Sequence, residues 1–236
     1  MGFVSPTEWR PVGIPDLEPN AWHALRYEGS TCVVAGPGAG KTEFLAQRAA
    51  YLLQTGLCPP PYRVLAISFK KDAAENLVAR VRRRCPPEQA RRFLSMTFDA
   101  FAKSLVDRFY EAIPSVWRPT RPYEVNFPKE RDYRNFLNKV LFSASAAWKT
   151  AIAAIQTGSF EKNVVGNWPL PPSKNGPTSG MEFAVQQWWT ENLRALGSSR
   201  LTFVMINRLA ELILRTNSSI LRALNMTYPY LFLDEF

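Results

Sequence analysis

Ala35-Gly36-Pro37-Gly38-Ala39-Gly40-Lys41-Thr42 is the stretch on which the fold turns. It follows Cys32-Val33-Val34-Ala35, a short apolar, β-branched run that reads as a strand. It opens Lys41 to Thr55, where Phe44, Leu45, Ala49, Leu52 and Leu53 recur at helical spacing. Strand, glycine-rich loop and helix together form the setting in which backbone can bind phosphate. Glycines let successive N–H groups turn toward phosphate oxygens, and the helix behind them adds the positive end of its dipole. In that setting Gly36, Pro37, Gly38, Ala39 and Gly40 line the cradle, Lys41 reaches the β and γ phosphates of a nucleotide, and the Thr42 hydroxyl ligates Mg²⁺. The strict pattern starts on glycine, where this chain has Ala35.

Downstream, Pro59-Pro60-Pro61 breaks the chain, and Arg63 to Phe69 (RVLAISF) reads as a buried strand leading into a helix from Lys71 to about Arg84. A weaker strand over Phe93 to Thr97 precedes helical spacing at Phe101, Leu105, Val106 and Phe109, within Phe98 to Ala112. Repeated strand-helix units predict an α/β core with a parallel sheet. Upstream, Pro6, Pro11, Pro15 and Pro19 mark an extended lead-in over 1–20. From Pro114 the texture turns helical, with periodicity over 131–155, 181–196 and 201–216, loop composition over 166–180, and no strand until the end. There Tyr230 to Glu235 is an apolar strand closing on two carboxylates, Asp234 and Glu235. Acidic residues end many strands. Beside Lys41 and Thr42, however, a metal needs a second anchor, which Asp234 supplies, while Glu235 can polarise an attacking water. The predicted domains are therefore 1–20, a core over 21–112, a helical insertion over 113–226 and a returning strand over 227–236.

The 236 residues hold one large domain or two modest ones, and 46% apolar with 21% charged residues is ordinary globular usage. No apolar run approaches the roughly eighteen residues of a membrane span, and Met1 to Arg10 lacks the pattern of a secretory signal, so no membrane partner and a cytoplasmic location are expected. Cys32, Cys58 and Cys85, odd in number and without histidine pairs, read as reduced thiols. The net charge of +9 is distributed as −1 over 1–60, +9 over 61–150 and +1 over 151–236. Its densest part, Lys70, Lys71, Arg80, Arg82, Arg83, Arg84, Arg91 and Arg92, reads either as a phosphate-binding surface or as a solvated helix face.

Val64 to Val81 (VLAISFKKDAAENLVARV) resembles motif Ia of the superfamily 1 helicases of the UvrD/Rep/PcrA type, whose usual form is a strand, then TFTNKAA, then a helix ending ERV. Thr97 to Ala102 (TFDAFA) is similar to their motif Ib, usually TFHSFA. AGPGAGKT is similar to motif I, which also begins on alanine, and LDEF to the start of motif II. Order and spacing agree over the first hundred residues and the last few, while roughly 105–225 is matched only by position. The resemblance implies a RecA-like P-loop NTPase core with a parallel sheet, interrupted by a mainly α-helical insertion that lies over DNA. It also implies ATP and Mg²⁺ as cofactors, and single-stranded or partly duplex DNA as partner. Carried over by position, Lys41 and Glu235 serve catalysis, Thr42 and Asp234 hold the metal, Phe69 stacks on a base, and Ser68, Lys70 and Thr97 contact the nucleic-acid backbone. Stacking on an aromatic ring tolerates any base, as a translocating motor requires. Without the motif, Phe69 reads as a core residue at a strand end.

The chain departs from the family's pattern in several places. The glutamine motif, usually LNPEQREAV, is here LEPNAWHAL over Leu17 to Leu25, with Ala21 at the glutamine position and Trp22 or His23 as candidates to pack near the base. Asp99 replaces the histidine of motif Ib, and helix capping is its expected role. The family continues past Phe236 into a second RecA-like domain whose arginines neutralise the transferring phosphoryl group, and loss of such a finger costs on the order of 10³–10⁵ in rate. This chain alone is thus expected to bind rather than to unwind, with a second chain as a possible source of the missing domain. Two other readings stand beside this one: a catalytically silent nucleic-acid-binding or partner-docking module, and a P-loop phosphotransferase, against which motifs Ia and Ib speak. Trp117, Trp148, Trp168, Trp188 and Trp189 read mainly as core filling. The adjacent Trp188 and Trp189 diverge by about 100° on a helix, so one of them is expected to face a partner or the α/β core.

Overall fold

The computed structural model describes residues 2–34, 36, 38–168, 170 and 176–234. They form two compact units, one of residues 1–101 with 221–236 and the other of residues 102–220. The chain passes between them within two helices, at 101–102 and at 220–221.

The first unit is a three-stranded parallel sheet with helices. After α1 (Pro19–Arg26) and α2 (Lys41–Gln54), β1 (Val64–Ser68) feeds α3 (Lys71–Arg84), and the single turn α4 (Pro87–Ala90) leads to β2 (Phe93–Thr97) and α5 (Phe98–Arg108). The last strand of the chain, β5 (Tyr230–Asp234), returns to this sheet, giving the order β2-β1-β5. β1 is central and wholly buried, which is why it reads as a continuous apolar run. Its register sets Ser68 opposite Thr97 on one side and opposite Asp234 on the other, so the three strands end abreast. Val64, Ala66, Phe93 and Phe232 share a core with Ala46, Ala49, Leu52 and Leu53 of α2 and Leu77 and Val81 of α3. Side chains two apart on a strand share a face, so Ser68 and Asp234 point to the side of the sheet that α2 covers.

The run before the glycine loop is a correction. Cys32, Val33 and Val34 form no strand and are exposed, Val34 at 91%. A strand exists only where a neighbour offers a ladder, and no described strand lies on that segment. The lead-in, by contrast, has little regular structure yet is firmly docked. Trp9 is buried and its indole N–H donates to Gln54 Oε1 at 2.6 Å, while Val4 N–H donates to the Gln54 carbonyl at 3.0 Å. Burial pushes the Cys85 thiol up to about 11, in keeping with an inert free cysteine.

In the second unit, α6 (Glu130–Ser143) and α7 (Ala146–Ala153) replace the single helix read over 131–155. α6 ends where the backbone of Ala144 turns extended, and the Ser143 hydroxyl is shared between the carbonyls of Lys139 and Val140 in its last turn. Next come a π-helical turn at Phe160–Val165, then α8 (Gly180–Leu193), α9 (Phe203–Thr216) and α10 (Ser218–Thr227). The two-residue strands β3 (Glu124–Val125) and β4 (Arg200–Leu201) pair in parallel, which the sequence did not signal. Both Trp188 and Trp189 are buried within this unit, where one was expected to meet a partner or the α/β core. α8 has neighbours on two sides: Trp188 packs on Tyr133, Phe136 and Phe160, and Trp189 meets Trp117 edge to face.

Candidate nucleotide and nucleic-acid site

The glycine loop of the first unit ends at the N-terminus of α2. Gly38 and Gly40 have φ of 76° and 82°, the left-handed region that only glycine enters freely. Gly36, Gly38, Ala39 and Gly40 are exposed. Ala39 N–H donates to the Gly36 carbonyl at 3.2 Å, and the Lys41 ammonium curls back onto the same carbonyl at 3.4 Å. Lys41 and Thr42 are the first two residues of α2, where the backbone N–H groups lack intrahelical partners. Pro37 and Glu235, assigned from sequence to the cradle and to catalysis, lie outside the described residues.

Asp234 is 5% exposed and closes β5 beside Ser68. Ser68 is fully buried, and among the described residues its hydroxyl has no hydrogen-bond partner. Ser68, which the family resemblance assigns to nucleic-acid backbone contact, is thus a buried strand end beside a carboxylate. A Mg²⁺ held by one hydroxyl, one carboxylate and substrate phosphates needs no cluster of protein ligands, and among the described residues no group of three His, Cys, Asp or Glu gathers. The exposed loop, Thr42 on α2, and Asp234 with the orphaned Ser68 hydroxyl on the sheet face below α2 fit such an ion.

One residue further on, the chemistry changes. Phe69 is 72% exposed and Lys70 is exposed, so Phe69 is not the core residue a plain strand end would make it. Phe98, 45% exposed, stands in the same position after β2 and was not singled out from sequence. The Thr97 hydroxyl accepts from Ala100 N–H at 3.2 Å, so Thr97 caps α5 and Asp99, expected to do so, lies in the first turn. Trp22 donates to Asp16 at 2.8 Å, packs edge-on against Trp9 and carries the Arg26 guanidinium 4.5 Å above its ring, while His23 is exposed and stacked on Tyr27.

The basic cluster divides as well. Arg92 donates to the Cys58 and Tyr62 carbonyls, and Arg80 and Arg84 both bind Glu43 of α2, at 2.6 Å each. Burial raises the Glu43 pKa, but hydrogen bonds from Gln47, Arg84 and Arg80 outweigh it and hold the carboxyl below its ordinary value. Sequence reasoning missed Glu43. Its only signal was an acid in the first turn of a helix, with arginines thirty-seven and forty-one residues away.

Known proteins share parts of this sequence. The chain is 38% identical over 86 residues to the ATP-dependent DNA helicase PcrA of Leuconostoc citreum, 36% of this chain and 11% of that protein. It is 35% identical over 89 residues to DNA helicase IV of Escherichia coli (strain K12), 38% of this chain and 12% of that one. With the ATP-dependent DNA helicase Rep of Salmonella typhimurium it shares 29% identity over 98 residues, 41% and 14% of the two chains. The matched stretches thus span about an eighth of these relatives. A family model, the UvrD/REP helicase N-terminal domain, matches residues 17–236, and the chain belongs to that family.

Proposed function

We propose that this chain is the ATP-binding N-terminal region of an ATP-dependent DNA helicase or translocase, taking Mg²⁺-ATP at Gly36–Thr42 and single-stranded DNA along Phe69, Lys70 and Thr97. The observation that carries the reading is the shared sheet end: Asp234, Ser68 and Thr97 stand abreast, on the face that α2 covers, with exposed Phe69 and Lys70 directly beyond. In this reading the loop N–H groups and Lys41 neutralise the phosphates, Thr42 and Asp234 hold the metal, and Glu235 orients water. Bound Mg²⁺ supplies the charge that makes the terminal phosphate a better electrophile. The Phe69 ring offers a stacking platform and the Lys70 ammonium a phosphate partner, a combination indifferent to base sequence. Unwinding also calls on a second domain of the kind the family carries. No described helix is long and apolar enough to cross a membrane.

The test is binding of a fluorescent ATP analogue with Mg²⁺, and separately of a fluorescent single-stranded oligonucleotide, to the chain and to Lys41→Ala. The substitution should weaken nucleotide binding by about tenfold or more, equivalent to about 1.4 kcal/mol, and leave the oligonucleotide affinity nearly unchanged. Oligonucleotide binding without any nucleotide binding would instead favour a silent docking module. Binding of neither would overturn the proposal.

A further inference from the structure

The reading above leaves one polar cluster unused, and it lies against the first turn of α2. Glu43 follows Lys41 and Thr42 directly, and both its carboxylate oxygens are taken. Arg84, in the last turn of α3, donates from Nη2 at 2.6 and 2.7 Å and from Nε at 3.1 Å, while Arg80, one turn earlier, donates from Nη1 at 2.6 Å. Gln47 adds a bond at 2.8 Å from the next turn of α2. The guanidinium groups are fixed in turn, Arg84 by the Arg80 carbonyl at 2.7 Å and Arg80 by Asn76 Oδ1 at 3.0 Å. Gln47, fully buried, grips the lead-in at Val12 through both its N–H and its carbonyl, at 3.0 and 2.8 Å.

A half-buried ion pair between two helices has an ordinary purpose, which is to hold them together. The placement of this one gives it another. A helix N-terminus favours one local negative charge, and Glu43 occupies that field in the very turn where phosphates would sit. Its repulsion of a phosphate is offset only while Arg80 and Arg84 stay on it, so the two arginines and the phosphates are electrostatically linked. The arginines ride on α3, a continuous helix of fourteen residues whose first residue follows Phe69 and Lys70. A shift of α3 at its arginine end is therefore delivered to its aromatic end.

Building on the function proposed above, we infer that the Glu43–Arg84–Arg80 clasp couples occupancy of the glycine loop to the affinity of the Phe69–Lys70 rim for single strands. Glu43 is a positioning residue in this scheme and touches neither ligand. Coupling of this kind is reciprocal: nucleotide changes DNA affinity by the same factor as DNA changes nucleotide affinity.

The experiment measures dissociation constants of a fluorescein-labelled oligothymidylate with and without saturating Mg²⁺ and a non-hydrolysable ATP analogue, on the full chain and on Glu43→Gln, Arg84→Met and Arg80→Gln. The unmodified chain should show a change of about fivefold or more between the two conditions. Glu43→Gln and Arg84→Met should bring that ratio close to one while each ligand alone still binds. Arg80→Gln, which spares the Arg84 pair and serves if either of the others fails to fold, should give an intermediate ratio. A ratio of one in the unmodified chain, or a full ratio in folded variants whose melting temperature alone has dropped, overturns the inference and leaves the proposed function standing. Failure of the unmodified chain to bind either ligand overturns both.

Discussion

Val64–Ser68 and Cys32–Val34 are both short apolar runs that lead toward a helix, yet only the first is a strand. β1 has a parallel partner on each side along its whole length and is buried throughout, whereas the earlier run meets no ladder and lies open. β-branched composition qualifies a segment for a sheet. Only a partner with free N–H and carbonyl groups makes it a strand, and partners come from elsewhere in the chain. The residues nearby divide at the same point: those on the paired side, Ser68 and Asp234, are buried, and those just past the ladder, Phe69 and Lys70, are exposed.

The sharpest way to break the comparison is to truncate one apolar side chain in each run to alanine. Ile67→Ala, at a site 3% exposed, should cost about 3 kcal/mol in urea unfolding, while Val34→Ala should stay within about 0.5 kcal/mol. A large effect at Val34 would show that the run is paired in solution.

Next in size is Glu43→Gln, which strips the carboxylate from an arginine only 10% exposed and should cost about 2 kcal/mol at neutral pH. The Glu43 pKa is lower in the folded chain, so its contribution is fully present above the ordinary value of 4.5 and fades as pH falls through the folded value. Thermal melts from pH 7 downward should therefore show the unmodified chain losing its advantage over Glu43→Gln in acid. A constant gap would contradict this.

On the exposed side of the sheet end, Phe69→Ala should leave stability within about 0.5 kcal/mol and weaken single-strand binding by about 1–2 kcal/mol, measured by fluorescence anisotropy. The smallest effect belongs to Ser68→Ala. Deleting a buried hydroxyl that has no partner among the described residues should be neutral or slightly stabilising, by less than about 1 kcal/mol, and a marked loss would mean that the hydroxyl is hydrogen-bonded in solution.

Periodicity exposed α2, α3, β1, β2 and β5 because each pattern was local: helical spacing in Lys41–Gln54, an unbroken apolar run in Val64–Ser68. It could not show the end of α6 at Ser143, where the backbone of Ala144 turns extended between two helical patterns of the same period. The pairing of Glu124–Val125 with Arg200–Leu201, two residues on each side, leaves no pattern at all. In the site, the loop glycines and Lys41-Thr42 were readable because backbone chemistry fixes their types and spacing. Glu43 was not, since its meaning lies in Arg80 and Arg84.

The sequence by itself determined the local features of the candidate site: glycines that enter left-handed φ at 38 and 40, a lysine and threonine opening a helix, an apolar strand closing on Asp234. Tertiary structure alone decided that Ser68 is buried while Phe69 is exposed, that two of the arginines face a carboxylate instead of solvent, and that Trp188 and Trp189 both lie inside. The reason is physical. Backbone preference is a property of a residue and its near neighbours, whereas burial and charge pairing depend on surfaces brought together from distant parts of the chain.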